Sequence, residues 1–222
     1  RSAATRGSTV VVSAADGPTH HGLFDHAYLN CVPNVIVMQP KDEDELVDMM
    51  FTCTRQEHPT FIRYPRGEAV GVKIKDEPAL LDIGKAEIVQ NFRRDEKKRV
   101  VFFGLGNMQA LASECIKELG GDFDCALVNP RFVKPMDDAT HEFFAREADL
   151  VVTLEDHVSI GGYGSRVVEL LHERDIRTPV QRVAWPDQFI EHASGNGDLR
   201  EKYGLTSKAV VSQIKTPPTT TA

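Results

Sequence analysis

Short runs of β-branched and aliphatic residues recur along the chain, and each run ends in a loop that contains glycine, proline or aspartate. Before residue 68 these runs are TVVVSA at Thr9–Ala14, NVIVMQP, and TFIRYPRG, which Pro65 and Gly67 end. Continuous apolar runs of this length are typical of buried strands in a parallel sheet. The pattern therefore predicts three parallel strands in this part of the chain.

A helical pattern separates the second and third of these strands. Asp42 is placed to cap the helix, and Glu45 three positions later is placed to close a capping box. The predicted buried face consists of Leu46, Met49, Met50 and Cys53. Strand, helix and strand in this order predict a right-handed parallel crossover unit.

A larger α/β unit is predicted further along the chain. Its strands are KAEIVQ, RVVFFGLG, DCALVNP, DLVVTLED and PVQRVAW, and its helices are MQALASECIKEL and the segments near Asp137–Arg146 and Tyr163–Arg174. The stretch before this unit contains Pro78 and scattered charges without periodicity, which predicts an interdomain linker.

The two predicted units are unequal in size. We assign a partial domain, a linker, a complete α/β domain and a disordered tail to residues 1–67, 68–82, 83–215 and 216–222. A three-stranded sheet exposes both faces, and a domain of about 65 residues buries only about 60% of its unfolded surface. We therefore expect the first unit to need further sheet from protein that precedes this segment.

Composition and charge narrow the function classes. The formal net charge is −7 and the pI is near 5.6, so neither nucleic acid nor an anionic membrane is an expected partner. No apolar run approaches the roughly 20 residues of a membrane helix. Arg1–Ser13 lacks the apolar stretch of a signal peptide, and we expect a cytoplasmic protein. The four cysteines form no CxxC pair, and free thiols are predicted, all but one of them buried.

The loop DGPTHHG contains the strongest candidates for chemistry. It follows the first predicted strand, which places Asp16 and His20 at the carboxyl end of a parallel sheet, where ligands bind. A histidine there can shuttle a proton, because imidazole titrates at about pH 6.5. Alternatively, Asp-Gly-Pro only makes a turn that His20 caps. His21 and His26 extend the motif to HHxxxxH, but no cluster of Cys, Asp or Glu at ligand spacing accompanies them, so we predict no metal site.

Three further features are predicted to be structural. The turn GLGNMQ at Gly104–Gln109 lacks the third glycine of a dinucleotide fingerprint and is interpreted as a packing turn. Glu155, Asp156 and His157 could supply an acid–base pair, but loop capping or a subunit contact is the favoured interpretation. Arg63, on the third strand, is predicted to form a salt bridge to a neighbouring helix.

Six motifs together resemble a known family. DGPTHHGLFD, RYPRGEAVGV and RFVKPMD, with IGKAEIV, VTLEDHVSIGGYGS and PDQFIEHAS, are similar in order and spacing to the C-terminal half of 1-deoxy-D-xylulose-5-phosphate synthases. The resemblance implies an α/β fold with a truncated parallel-sheet pyrimidine-binding domain, followed by a domain of the transketolase C-terminal type. It also implies a transferase that uses thiamine diphosphate and Mg²⁺ to condense pyruvate with D-glyceraldehyde 3-phosphate, with release of carbon dioxide, in non-mevalonate isoprenoid synthesis.

The resemblance also implies roles for individual residues. His20 would hydrogen-bond the reacting carbonyl or hydroxyl and shuttle a proton, and Asp16 would orient the hydroxyls of the aldehyde. Arg66 would bind the aldehyde's phosphate as a charged fork. Family members usually read RAG-x-VGADG where this chain reads STVVVSAADG, so a second phosphate-binding arginine is missing, and Arg6 could replace it.

The family's cofactor-binding segments have no counterpart in this sequence. These are a GDG-type magnesium and diphosphate motif and the glutamate that activates the cofactor, so we expect no thiamine diphosphate or Mg²⁺ to be bound by this chain alone. One hypothesis is that this chain is part of an active synthase, either as a homodimer or in complex with an N-terminal half. The alternatives are a non-catalytic remnant or assembly domain, or a relative of transketolase or of the 2-oxo-acid dehydrogenase β subunit.

Overall fold

A computed structural model describes residues 14–65, 69–93 and 96–216. Its helices are α1 (Asp25–Asn30), α2 (Glu43–Cys53), α3 (Met108–Leu119), α4 (Asp138–Glu147), α5 (Tyr163–Glu173), α6 (Asn196–Lys202) and α7 (Ser207–Lys215). Its strands are β1 (Ile36–Met38), β2 (Thr60–Ile62), β3 (Glu87–Gln90), β4 (Arg99–Gly104), β5 (Asp124–Asn129), β6 (Phe132–Lys134), β7 (Leu150–Val158) and β8 (Val180–Trp185). The predicted first strand, apart from Ala14, and the predicted tail after Thr216 lie outside these residues. Among the described helices, none has the length and apolar character needed to cross a membrane.

Five strands of the second unit form one sheet in the order β3-β5-β4-β7-β8. Strand β3 is antiparallel to β5, whereas the other pairs are parallel. Val100 and Phe102 of β4 pack with α3 and α7, while Val101 and Phe103 pack with α4 and α5. Because alternate residues of a strand face opposite sides, helices cover both faces of this sheet, as predicted for an α/β unit.

A second sheet has the order β2-β1-β6. Strands β1 and β2 are parallel, as predicted, but β6 comes from the second unit and is antiparallel to β1, so the described sheet is mixed. Ile36, Met38 and Phe132 pack with α2, while Val37 and Val133 join a cluster of the larger sheet. The expectation that this sheet exposes both faces was wrong, because the second unit supplies both a strand and a covering surface.

The helix α2 begins as predicted and packs three of its four predicted core residues, Leu46, Met49 and Cys53, into one apolar cluster. The N–H of Glu45 donates to Asp42 Oδ1 at 2.8 Å, which is the predicted cap. Met49 and Cys53 are buried, but Met50 is 43% exposed. The polar residues Asp48 and Thr52 are buried in its place.

The segment predicted to be a linker explains this difference. It contains no helix or strand over residues 69–82 and lies along one side of α2. Its backbone N–H groups donate to α2 side chains in the pairs Val72 with Glu43, Lys75 with Asp44, Ala79 with Asp48 and Leu81 with Thr52. The side chain of Leu81 joins the apolar cluster that contains Met49. Polar side chains of α2 are therefore buried because they satisfy an extended backbone.

Thiol reactivity tests this packing. Cys31 is exposed, and Cys53, Cys115 and Cys125 are buried free thiols, as the sequence predicted for three of the four. Burial raises the pKa of Cys115 and of Cys125 to about 12, so neither forms thiolate to any useful extent at about pH 8. Titration of the native chain with an aromatic disulfide reagent should give one fast-reacting thiol, and all four after unfolding in guanidinium. More than one fast thiol in the native chain would contradict the described core.

Candidate functional site

The loop that contains Asp16 and His20 forms a tight turn. Gly17 has φ +72, and the N–H of His20 donates to Gly17 O at 3.1 Å. A left-handed φ favours glycine at this position. Asp16 is half-buried and His20 is exposed, with its Nδ1 2.9 Å from Thr19 Oγ1. The turn that the alternative interpretation of Asp-Gly-Pro predicted is therefore present, and it leaves the His20 ring exposed to solvent.

The second unit holds this loop in place. The N–H of Ala14 donates to Asn196 Oδ1 at 2.9 Å, and the N–H of Ala193 donates to Ala14 O at 3.1 Å. The His192 ring lies against Gly17, where an added Cβ would come within 2.2 Å of it. Sequence reasoning missed His192 because the residue had no signal beyond its place in the PDQFIEHAS motif.

Arg63 is almost fully buried and joins several elements. Its Nε lies 3.0 Å from Asp25 Oδ2 in α1, which confirms the predicted salt bridge to a neighbouring helix. Its guanidinium also donates to Gln39 Oε1 at 3.1 Å, to Asp156 O at 2.6 Å and to Gly22 O. The end of β2 is therefore tied to α1, to the loop after His20 and to β7.

The polar cluster at the end of β7 has the structural role that was favoured. Glu155 accepts N–H bonds from Tyr163 at 2.7 Å and Gly164 at 2.8 Å, and so caps the start of α5. Burial raises the pKa of the Glu155 carboxyl to about 7, even though these bonds oppose the shift.

The neighbouring carboxylate of Asp156 is also fully bonded within the protein. It accepts from Trp185 Nε1 at 2.5 Å, from Asn107 Nδ2 at 2.8 Å and from Arg200 at 3.0 Å. With no exposed surface and three donors, Asp156 holds β8 and α6 to β7 and is not available for acid–base chemistry with a substrate.

Two family models match the chain. The model for the transketolase C-terminal domain matches residues 84–210, and the model for the transketolase pyrimidine-binding domain matches residues 5–70. The chain belongs to the transketolase family. The predicted order of domain types is therefore confirmed, and the turn with His20 lies in the part that matches the pyrimidine-binding domain.

Within the transketolase family, this chain is similar to proteins named 1-deoxy-D-xylulose-5-phosphate synthase. The protein of Methylacidiphilum infernorum (isolate V4) is 50% identical over 204 residues, which are 91% of this chain and 31% of that relative. Those of Acidobacterium capsulatum and Acinetobacter baumannii are 43% and 37% identical, over 91% and 90% of this chain and 32% of each relative. The chain spans about a third of the length of these curated relatives.

Two solved structures share the fold. One is described as a split-gene transketolase in an inactive β4 tetramer; it has a TM-score of 0.76 and 30% identity, over 90% of this chain and 63% of that one. The transketolase of Campylobacter jejuni subsp. jejuni NCTC 11168 has a TM-score of 0.68 and 20% identity, over 93% of this chain and 30% of that one.

The turn GLGNMQ is a packing feature in this transketolase-family domain, as interpreted from the sequence. Gly106 has φ +58, and a Cβ there would come within 2.3 Å of the Gln39 side chain. Gln109 Nε2 donates to Gly104 O at 2.6 Å and to Val128 O at 2.8 Å, which fixes the start of α3 on the sheet.

Arg66 lies outside the described residues. Its described neighbours Tyr64, Pro65 and Ala69 line a cavity of about 220 Å³ at the start of α2. The convergence of Asp16, His20 and Arg66 on one cleft therefore stays a prediction.

Among the described residues, the three histidines of the HHxxxxH pattern do not form one group of metal-ligand donors. His21 is buried and its pKa is lowered, mainly by that burial. His26 is buried in α1 and lies instead with Glu155 and His157, two residues of β7.

Proposed function

We propose that this chain forms the acceptor-binding part of a cytoplasmic 1-deoxy-D-xylulose-5-phosphate synthase. The observation that carries the proposal is the DGPTH turn, in which His20 is exposed while Gly17 and the second unit fix the backbone beneath it. Relatives with this name match about nine-tenths of the chain, which supports the same assignment. The proposed reaction joins pyruvate to D-glyceraldehyde 3-phosphate and releases carbon dioxide.

Each candidate residue has a defined task in this proposal. His20 hydrogen-bonds the aldehyde oxygen and donates the proton that this oxygen needs as the new carbon–carbon bond forms. Asp16 orients the aldehyde's hydroxyl group, and Arg66 binds its phosphate. Since the buried carboxylate of Asp156 is held by three donors of the protein, it is not assigned a part in proton transfer.

The N-termini of α3 and α5 do not fit the diphosphate of thiamine diphosphate. A helix N-terminus binds an anion through free N–H groups. At α5 the carboxylate of Glu155 already accepts those N–H groups, and at α3 the side chain of Gln39 fills the space beside Gly106. We therefore expect thiamine diphosphate, which supplies the electron sink for the carbanion, and its Mg²⁺ to bind residues outside this chain.

A second candidate function is a non-catalytic assembly domain. It is favoured by the similarity to a transketolase component that was solved as an inactive tetramer of one type of chain. The STVVVSA stretch, which lacks the family's second phosphate-binding arginine, also favours an assembly domain. In this alternative the second unit mediates association, and the loop with His20 binds no substrate.

A chimera separates the two candidates. This chain should replace the 204 matching residues of the Methylacidiphilum infernorum synthase, so that the remainder of that protein supplies the cofactor site. Formation of deoxyxylulose phosphate from pyruvate and glyceraldehyde 3-phosphate, with thiamine diphosphate and Mg²⁺, is expected. A folded chimera that binds the cofactor but forms no product would contradict the synthase proposal and favour the assembly domain. The unmodified synthase is the matched control.

A further inference from the structure

His26 is a buried side chain that lacks hydrogen bonds. It has no exposed surface, and neither Nδ1 nor Nε2 has a hydrogen-bond partner among the residues that the structure describes. A buried polar atom without a partner costs roughly 1–3 kcal/mol, and such an atom in a native protein often marks an unobserved water or ion. The chemistry of the residues around His26 therefore decides whether a water molecule or an ion suits its ring nitrogens.

Two further donors face the His26 ring. Glu155 Oε2 lies 3.8 Å from His26 Nδ1 and 4.0 Å from His157 Nδ1. One donor atom from each of the three residues lies within 4.8 Å of the others, and all three side chains are buried. The group joins α1 of the first unit to β7 of the second.

We propose that His26, Glu155 and His157 form a binding site for one divalent transition-metal ion of the zinc class. Two imidazoles and one carboxylate suit Zn²⁺ or Co²⁺, whereas Mg²⁺ and Ca²⁺ prefer oxygen ligands. The site is separate from the turn with His20 and does not depend on the proposed synthase activity.

The surrounding protein prepares this site for a cation. Backbone N–H groups of Tyr163 and Gly164 fix the Glu155 carboxylate, as outer-shell partners do in metal sites. The nearby positive charge of Arg63 is paired with Asp25 at 3.0 Å.

Metal binding requires a movement of His26. Donors on a tetrahedral zinc ion lie about 3.4 Å apart, closer than those found here. The rings of His26 and His157 are stacked, with centroids 4.9 Å apart and planes at 13°, so one ion cannot lie in both ring planes. Rotation of His26 changes the stacking and breaks no hydrogen bond of this ring, because the ring makes none. His157 must also move closer to Glu155, which lies 4.0 Å from its Nδ1. His157 then gives up one of its own bonds, either that of Nδ1 with Val158 O at 2.8 Å or the one that Nε2 accepts from the N–H of Ala27 at 3.4 Å.

An open cavity lies next to the site. Ala27 and Gly162 line a cavity of about 570 Å³ on the surface. Gly162 also lies against the donors, since a Cβ there would come within 2.3 Å of Glu155 Oε2 and 2.7 Å of His157 Nδ1. A residue without a side chain therefore separates the cavity from the three donors.

Titration with Co²⁺ tests the proposal. In the whole chain, without a histidine tag, one equivalent of Co²⁺ should bind and give visible absorption bands of a four- or five-coordinate ion. His26→Leu should weaken binding by more than about 100-fold, beyond the effect of an outer-shell partner. His58→Leu, which changes an exposed histidine, should leave it unchanged. Without metal, His26→Leu should unfold at the same temperature as the wild type or higher, because no hydrogen bond is lost.

Two results would overturn the proposal: no saturable binding near one equivalent, or equal Co²⁺ affinity in the wild type and in His26→Leu. If His26→Leu does not fold, X-ray absorption of the Zn²⁺-loaded wild type decides. Two imidazole nitrogens at about 2.0 Å with an oxygen support the site, and a sulfur ligand would place the ion elsewhere.

Discussion

Replacing His20 with alanine in the chimeric synthase should lower kcat by about 10²- to 10⁴-fold, the range for loss of a positioned acid–base group. The reason is that His20 is the exposed imidazole of a turn whose backbone is fixed by Gly17 and His192. Steady-state formation of deoxyxylulose phosphate at saturating pyruvate and glyceraldehyde 3-phosphate measures the effect.

The control for this prediction is His58→Ala, which removes another exposed imidazole and should leave kcat unchanged. Thermal unfolding of both variants should match that of the parent, because the His20 ring lies at the surface. A loss in kcat of less than about 3-fold would remove His20 from proton transfer, since general acid–base groups contribute far more than this.

Replacing Arg63 with methionine should reduce the free energy of unfolding by about 3–5 kcal/mol, the cost of breaking a buried ion pair from one side. Arg63 is 2% exposed and its guanidinium donates to Asp25, Gln39, Gly22 and Asp156. Methionine keeps much of the volume but leaves the Asp25 carboxylate buried without its cation. Urea unfolding of the isolated chain, followed by circular dichroism, measures the loss.

Arg177→Met is the matched control, because Arg177 is 89% exposed and its pair with Asp175 lies on the surface. Such a change should alter the unfolding free energy by less than about 0.5 kcal/mol. Equal urea midpoints of unfolding for Arg63→Met and the wild type would show that the ion pair and hydrogen bonds of Arg63 do not join the two units.

The elements that could be predicted from the sequence are those with strong local signals. Strand β4 is a continuous apolar run, α3 has a clear buried face, and the cap of α2 follows from Asp42 and Glu45. What could not be predicted depends on contacts between distant segments. Strand β6 has three residues and pairs with a strand of the other unit, and α2 buries polar residues because an extended segment binds them.

In the candidate site, too, the local features could be predicted from the sequence and the contacts between distant segments could not. The DGPTH loop contains its own turn signal, so the turn at Gly17 could be expected from the sequence. The contact of His192 with Gly17 could not, because the two residues lie far apart in the chain. The sequence around His26 likewise shows no metal-ligand spacing, because its neighbours Glu155 and His157 come from a distant strand.

Carbon-13 labelling tests the central claim most directly. The chimera, supplied with pyruvate labelled at its carbonyl carbon and with unlabelled glyceraldehyde 3-phosphate, should form deoxyxylulose phosphate labelled at the ketone carbon. One molecule of labelled product, followed by carbon-13 NMR, should appear for each molecule of carbon dioxide, which comes from the unlabelled carboxyl carbon and is measured separately. If a folded, cofactor-bound chimera leaves the label in pyruvate, or if it instead exchanges two-carbon units between sugar phosphates, this chain does not complete a deoxyxylulose phosphate synthase.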